Sequence, residues 1–357
     1  MTPPLKFALI GCGNIARKHA HVLHEGMDGA TIGAFVDVDP ARAEKFSREY
    51  GAPAFTSVGE MMQVLGDDGI DGFSVLTPSG AHCANVLELA RFCRPLVVEK
   101  PLALRLDDAD RMIEACDNHG VKLFVVHQNR YNLPIVKARE ALQQGRFGRL
   151  VLGTIRLRWT RDQAYYDSAS WRGTWAHDGG VFMNQAVHHI DMLSWFMGNV
   201  DSVRSLGATR LVNIECEDTG VAVMRFNSGA LGVLEATTAT RPKDLEGSLS
   251  ILGEKGTVVI GGYFMNELVT WSFDHKRPID DRVFADYGTN PPALGYNLRE
   301  YLRDVMAAIR GEKAPVVDGL EGRRSLELIT ALYESIETNA DVQVRFRPSK
   351  CRLGLAS

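Results

Sequence analysis

Positions 11–16 read Gly11-Cys12-Gly13-Asn14-Ile15-Ala16, between an apolar run, LKFALIG (5–11), and a helix-patterned run, NIARKHAHVLHE (14–25). A glycine pair set between a buried strand and a helix leaves few folds open. The first glycine permits a tight turn. The second lets backbone approach a pyrophosphate, and small Ala16 lets the helix pack on the strand. The helix N-terminus offers free N–H groups and a positive dipole end to phosphate, which brings in Asn14 and Ile15. A turn glycine pair of some other α/β fold is the competing reading, and the flanking strand and helix argue against it.

The rhythm that follows supports a parallel sheet. TIGAFVD (31–37), a PAFT strand, GFSVLTP (72–78), PLVVEKP (95–101) and KLFVV (122–126) alternate with helical segments at 40–50, 57–65, 81–92 and about 106–119. Continuous apolar strands alternating with helices mean burial on both faces. Asp39-Pro40 supplies an N-cap and a first-turn proline.

After about position 127 the pattern changes. A helix at 132–144 leads into RLVLGTIRLRW (149–159), where Ile155, Leu157 and Trp159 alternate with Arg156, Arg158 and Thr160. Strands at 202–211, 220–226, 230–238, 247–253 and 257–262 follow with short turns, which argues a mostly antiparallel sheet. Helices near 297–310 and 320–338 come last, and 275–292 reads as a long loop. The expected fold class is α/β: an N-terminal Rossmann domain (1–126) and a C-terminal α/β domain (127–357) built on a large, mostly antiparallel sheet. A chain of 357 residues suits two cores.

Composition excludes several classes. A formal net charge of −4 gives no electrostatic footprint for nucleic acid, and no basic stretch or long apolar run suggests a membrane. Six scattered cysteines, none in a CxxC pair, point to neither zinc nor disulfides and suit a reducing compartment. With no signal-like N-terminus, the expectation is a soluble cytoplasmic protein.

Asp37 ends the second strand. An acid there accepts from ribose hydroxyls and repels a 2′-phosphate, so NAD is expected over NADP. Lys100, in Glu99-Lys100-Pro101, lies at a strand's carboxyl end, where open α/β sheets bind ligands. The loop RWTRDQAYYDSASWRGTW (158–175) is rich in arginine and aromatic residues, as an anionic, ring-bearing substrate requires. Arg161, Tyr166 and Arg172 are its expected substrate contacts; an oligomer contact is the plainer reading.

GGVFMNQAVHHID (179–191) holds two adjacent histidines in an apolar segment. Read as one α-helix, it puts Asn184, His188 and Asp191 on one side and turns His189 about 100° away. A metal site is the first alternative, and no HxxxH or HExxH spacing supports it. A pair of satisfied core histidines is the second.

Taken in order, GCGNIA, TPSGAH, VVEKPLA, NRYN, and WRGTW followed by GG and NQAVHHID resemble the Gfo/Idh/MocA family of nicotinamide-dependent sugar oxidoreductases, over about 5–345. The resemblance implies that Lys100 and His188 share an active site, and that His188 rather than His189 is the family's histidine, with Asp191. It implies a cofactor site that includes Thr77, His82, Glu99, Lys100, Gln128, Trp171 and Arg172. Asn184 stands where the family usually has aspartate. The stretch 161–193 is similar to the group of UDP-N-acetyl-glucosaminuronate 3-dehydrogenases of bacterial surface-polysaccharide (O-antigen) biosynthesis, whose helix carries this asparagine. That group implies oxidation of the sugar C3 hydroxyl, in some members reoxidation of bound NADH by 2-oxoglutarate, and a dimer or tetramer. Lys100 or His188 is the base, and the sequence leaves both roles open. Asn184 is expected to orient substrate or His188. A dehydrogenase of a free polyol such as inositol, and a non-catalytic NAD-binding sensor, are the alternatives.

Overall fold

The computed structural model describes residues 3–25, 27–344 and 351–354. The chain divides into two compact units. The first comprises Met1–Ala103, Asp107–Val126 and Leu294–Arg323; the second comprises Leu104–Leu106, His127–Ala293 and Arg324–Ser357.

In the first unit the chain runs β1 (Leu5–Ile10), α1 (Asn14–His24), β2 (Ala30–Val36), α2 (Pro40–Tyr50), β3 (Ala54–Phe55), α3 (Val58–Leu65), β4 (Gly72–Val75), α4 (His82–Leu89), β5 (Leu96–Val98), α5 (Leu106–Asn118) and β6 (Leu123–Val125). Among the described residues six strands pair in the order β3-β2-β1-β4-β5-β6, every pair parallel. This is the doubly wound order, with its switch point between β1 and β4. The central strands are buried on both faces, as Phe7, Ala8, Leu9, Phe73, Val75, Val97 and Val98 show. The helix starts follow local chemistry. The Asp39 side chain accepts from the Ala41 N–H ahead of α2, and Ser57 accepts from the Glu60 N–H ahead of α3.

The second unit begins with α6 (Leu133–Gln143), β7 (Leu150–Arg158), α7 (Gln163–Asp167) and α8 (Val187–Met197). It continues through β8 (Val200–Ala208), β9 (Thr219–Phe226), β10 (Leu231–Thr237), β11 (Glu246–Gly253), β12 (Gly256–Gly261), β13 (Glu267–Phe273) and α9 (Val283–Tyr287). The chain then runs through α10 (Tyr296–Ile309) and α11 (Gly319–Thr338) to β14 (Val342–Gln343). Among the described residues, eight strands pair in the order β13-β12-β11-β7-β10-β9-β8-β14. Only β7 with β10 is parallel. In β9 and β10 buried and outward residues alternate, so one sheet face carries the core. α8 packs on β7 and β11.

The segment Leu294–Arg323 groups with the first compact unit. There Lys122 Nζ donates to the Ala308 carbonyl (2.6 Å), and Arg323 Nε donates to Asp110 Oδ1 (2.5 Å). The stretch expected to be loop after His275 contains α9, and β13 and β14 are edge strands that periodicity missed. The segment read as one helix around Asn184 is two: a π-helical turn, Val181–Gln185, and then α8. The Ala186 N–H donates to the Val181 carbonyl, five residues back.

Candidate active site

The first unit carries a dinucleotide cradle. Gly11 has φ +97°, and a Cβ there would stand 3.0 Å from the Leu76 and Thr77 backbone, so only glycine fits. Gly13 precedes α1 with open space where its Cβ would be, leaving the first N–H groups of the helix approachable. The half-buried Asp37 carboxylate is aimed by backbone: Cys12 N–H donates to Oδ2 (2.7 Å) and Asp39 N–H to Oδ1 (2.9 Å). Burial pushes the Cys12 thiol up to about 12, which makes it a packing residue rather than a nucleophile.

At the ends of β4 and β5, Thr77 Oγ1 donates to Asn85 Oδ1 (2.7 Å). The buried His82 ring lies between the carbonyls of Thr77 (3.0 Å) and Pro101 (2.9 Å), so it braces the two loops. Burial lowers its pKa. Glu99 is buried beside His19, Nε2 to Oε1 at 3.0 Å, and its Oε2 accepts from the Lys100 N–H (3.0 Å). Burial pushes this carboxyl up, but His19 and Lys100 outweigh it and hold it below the usual range. The acid thus anchors the backbone that carries the half-buried Lys100.

The second unit carries the histidine segment. Its π-turn is capped by a buried glutamate that sequence reasoning missed. Glu217 Oε1 accepts from the Phe182 N–H (3.0 Å) and from the Tyr333 hydroxyl (2.8 Å), and the Gly180 N–H donates to that hydroxyl (3.0 Å). Burial pushes the Glu217 carboxyl up to about 7. Gly180 has no side chain because a Cβ would fall 2.2 Å from Glu217 Oε2.

From Val181 to Leu193 every residue is buried except Asn184 and His188. The two accessible positions are the two the sequence singled out, although they lie in different helical segments. His189 is 0% exposed, and neither ring nitrogen has a hydrogen-bond partner among the described residues. Its ring meets Trp159 edge-on at 5.7 Å, and burial alone lowers its pKa to about 3. It is a neutral core residue. Asp191 is buried, and its carboxylate takes Arg130 in a two-pronged pair (2.7 and 2.9 Å), with His127 at 3.5 Å. Burial pushes Asp191 up, but Arg130 and His127 outweigh it. The His127 ring in turn meets the His188 ring edge-on at 6.0 Å.

The loop between β7 and the π-turn gathers on Tyr165. Arg161 and Arg172 both lie over its ring, at 5.2 and 4.3 Å, and Arg172 NH1 donates to its hydroxyl (2.6 Å). Gln185 Nε2 donates to the same hydroxyl (3.0 Å) and to Asn184 Oδ1 (3.0 Å). Arg161 is near Asp244 (3.5 Å), whereas Arg172 has no carboxylate within ion-pair distance among the described residues. Tyr166, expected to contact substrate, is 7% exposed and its hydroxyl pairs with Thr238 (3.2 Å), whereas Tyr165 is the ring that both arginines lie over. Trp171 is half-buried under Arg172 (4.6 Å). Gln128 is buried, and its Oε1 has no partner among the described residues, an acceptor that a ligand amide or hydroxyl would satisfy. The open Gly13 backbone and the aimed Asp37 carboxylate of the first unit fit the phosphates and ribose of a dinucleotide such as NAD. Among the described residues no cluster of side chains could hold a metal ion, and no helix is long and apolar enough to cross a membrane.

Residues 5–127 match the GFO_IDH_MocA description "Oxidoreductase family, NAD-binding Rossmann fold", and 139–344 match its "Oxidoreductase family, C-terminal alpha/beta domain". The chain belongs to this family of NAD-binding oxidoreductases and is a dehydrogenase of the sugar and polyol class. Among solved structures it is similar to the WlbA dehydrogenase from Bordetella pertussis in complex with NADH and UDP-GlcNAcA. The identity is 39% and the TM-score 0.90, covering 97% of this chain and 99% of that one. The WlbA enzyme from Chromobacterium violaceum, with the same ligands, is 39% identical at TM-score 0.89, over 97% of this chain and 99% of that one. Among curated proteins, myo-inositol 2-dehydrogenase from Thermotoga maritima is 27% identical over 95% of this chain and 98% of its own length.

Proposed function

We propose that this enzyme uses NAD to oxidise the C3 hydroxyl of UDP-N-acetyl-glucosaminuronic acid to the 3-keto sugar, in bacterial surface-polysaccharide biosynthesis. The observation that carries the reading is Arg172, a guanidinium with no carboxylate partner among the described residues, on the Tyr165 ring beside Arg161. Such a pair suits the carboxylate and diphosphate of a nucleotide sugar. Its link through Gln185 to Asn184 ties anion recognition to the turn that precedes His188. The full-length likeness to enzymes holding UDP-GlcNAcA supports the same substrate.

NAD, when bound, supplies the hydride acceptor. In this reading His188 takes the hydroxyl proton as a neutral imidazole, the form available near physiological pH. The Lys100 ammonium stabilises the developing alkoxide. His127, edge-on to His188 and anchored by Asp191 and Arg130, holds the imidazole in place. Asn184 orients the sugar, and Trp171 lies at the cofactor. The enzyme is proposed to be cytoplasmic and oligomeric. Leu206, Val221, Val223, Leu231 and Val233 form an exposed apolar patch across β8, β9 and β10 that self-association would cover. Reoxidation of bound NADH by 2-oxoglutarate belongs to the same proposal.

A free polyol is the second reading, favoured by the inositol dehydrogenases among the curated relatives. The test follows NADH absorbance with UDP-GlcNAcA, UDP-GlcNAc and myo-inositol, for wild type, Lys100→Ala and His188→Ala. Turnover confined to the uronate, and lowered roughly 10²–10⁴-fold in both variants with NAD affinity kept, is expected. Equal kcat/KM for UDP-GlcNAc would remove the carboxylate from the reading, and preference for inositol would replace it.

A further inference from the structure

Asp178, two residues before the π-turn's leading Gly180, has no part in the sequence reading. It is 2% exposed. Its Oδ2 accepts from the Gly173 N–H (2.7 Å), and its Oδ1 accepts from Asn184 Nδ2. Asn184 Oδ1 accepts from Gln185 Nε2 (3.0 Å). These two bonds determine which way the Asn184 amide faces. Turned over, it would set its oxygen against the Asp178 carboxylate and its nitrogen against the Gln185 donor.

We infer that Asp178 is a positioning residue: its carboxylate locks the Asn184 amide in one orientation, and its charge is what requires an uncharged side chain at position 184. The inference rests on the proposed role of Asn184 in orienting the sugar. A carboxylate at 184 would lie at hydrogen-bond distance from a buried carboxylate, and two such groups share a proton rather than both ionise. Tyr166 and Cys216 lie within electrostatic reach of Asp178, and burial keeps both neutral. Both Asp178 oxygens accept N–H bonds, as a carboxylate does, and Gln185 links the Asn184 amide to the Tyr165 hydroxyl and so to Arg172.

The test is a swap: Asn184→Asp, Asp178→Asn, and both together. In Asn184→Asp the two carboxyls hold one proton at low pH, and an O–H···O⁻ bond replaces N–H···O⁻. Its kcat/KM, relative to wild type at the same pH, should fall roughly 10- to 100-fold as pH rises through the raised pKa of the pair. Its melting temperature without substrate should fall over the same range. Asp178→Asn should raise KM for the sugar more than it lowers kcat, with NAD affinity unchanged. In the double variant the bond runs the other way, and the pH step should vanish. A ratio to wild type that is the same at every pH, or a double variant as pH-sensitive as Asn184→Asp, would overturn the inference. If Asn184→Asp does not fold, the KM-against-kcat split in Asp178→Asn decides alone, and equal effects on both refute it. A melting step in Asn184→Asp, with wild type inactive on UDP-GlcNAcA, would leave the pairing standing and remove the substrate reading.

Discussion

Replacing His189 with leucine separates the two adjacent histidines by a measurement that needs no substrate. His189 is wholly buried, and neither ring nitrogen finds a partner among the described residues. Burial lowers its pKa from 6.5 to about 3. The unfolded chain binds a proton at this side chain below about pH 6.5, and the folded protein does not. The sign follows from linkage: the contribution is full above pH 6.5 and is lost as pH falls toward 3. Between pH 8 and pH 5 the loss covers about one and a half pH units, or about 2 kcal/mol at 1.36 kcal/mol per unit. His189→Leu removes this loss and two unsatisfied buried nitrogens, each costing about 1–3 kcal/mol when left unpaired. The variant should melt no lower than wild type at pH 8. Its drop in melting temperature from pH 8 to pH 5 should be smaller by roughly 3 °C. Some drop remains, because burial lowers the pKa of His82 as well. Scanning calorimetry at the two pH values and steady-state kcat check both halves. An unchanged pH response, or a folded variant that has lost turnover, would refute the assignment of His189 to the core and of His188 to the chemistry.

Two further predictions concern Glu217 and Asp37. Burial raises Glu217 from 4.5 to about 7, so its contribution is full below about pH 4.5 and is lost as pH rises to 7. Glu217→Gln keeps an acceptor for Phe182 and Tyr333 and should gain on wild type between pH 5 and pH 7 by on the order of 3 kcal/mol; a stability difference independent of pH would count against it. Asp37→Ser should weaken NAD and narrow its advantage over NADP, because the carboxylate that accepts from ribose and repels a 2′-phosphate is gone. Titration of both cofactors checks this, and an unchanged ratio would free Asp37 of that role.

The Rossmann half is legible residue by residue because its signals are local. GCGNIA needs only a strand before it and a helix after it, and continuous apolar runs such as LKFALI are what strands buried on both faces require. The mostly antiparallel second sheet is legible from alternation for the same reason. Asn184 and His188 also stand out in the sequence, but the reason given there, a shared face of one α-helix, does not hold. A π-turn separates them, held by Glu217 and Tyr333 from distant parts of the chain. The same kind of long-range partner decides the rest. Tyr165 and Tyr166 are adjacent and chemically alike, and only packing against Thr238 sends one inward. Asp178 looks like a loop acid until its bonds to Gly173 and Asn184 are seen. Leu294–Arg323 follows the second sheet in sequence, yet its anchors are Lys122, Asp110 and Gly29 of the first unit. Periodicity reports which face of an element is apolar; which surface covers that face depends on residues a hundred or more positions away, and only the tertiary structure supplies them.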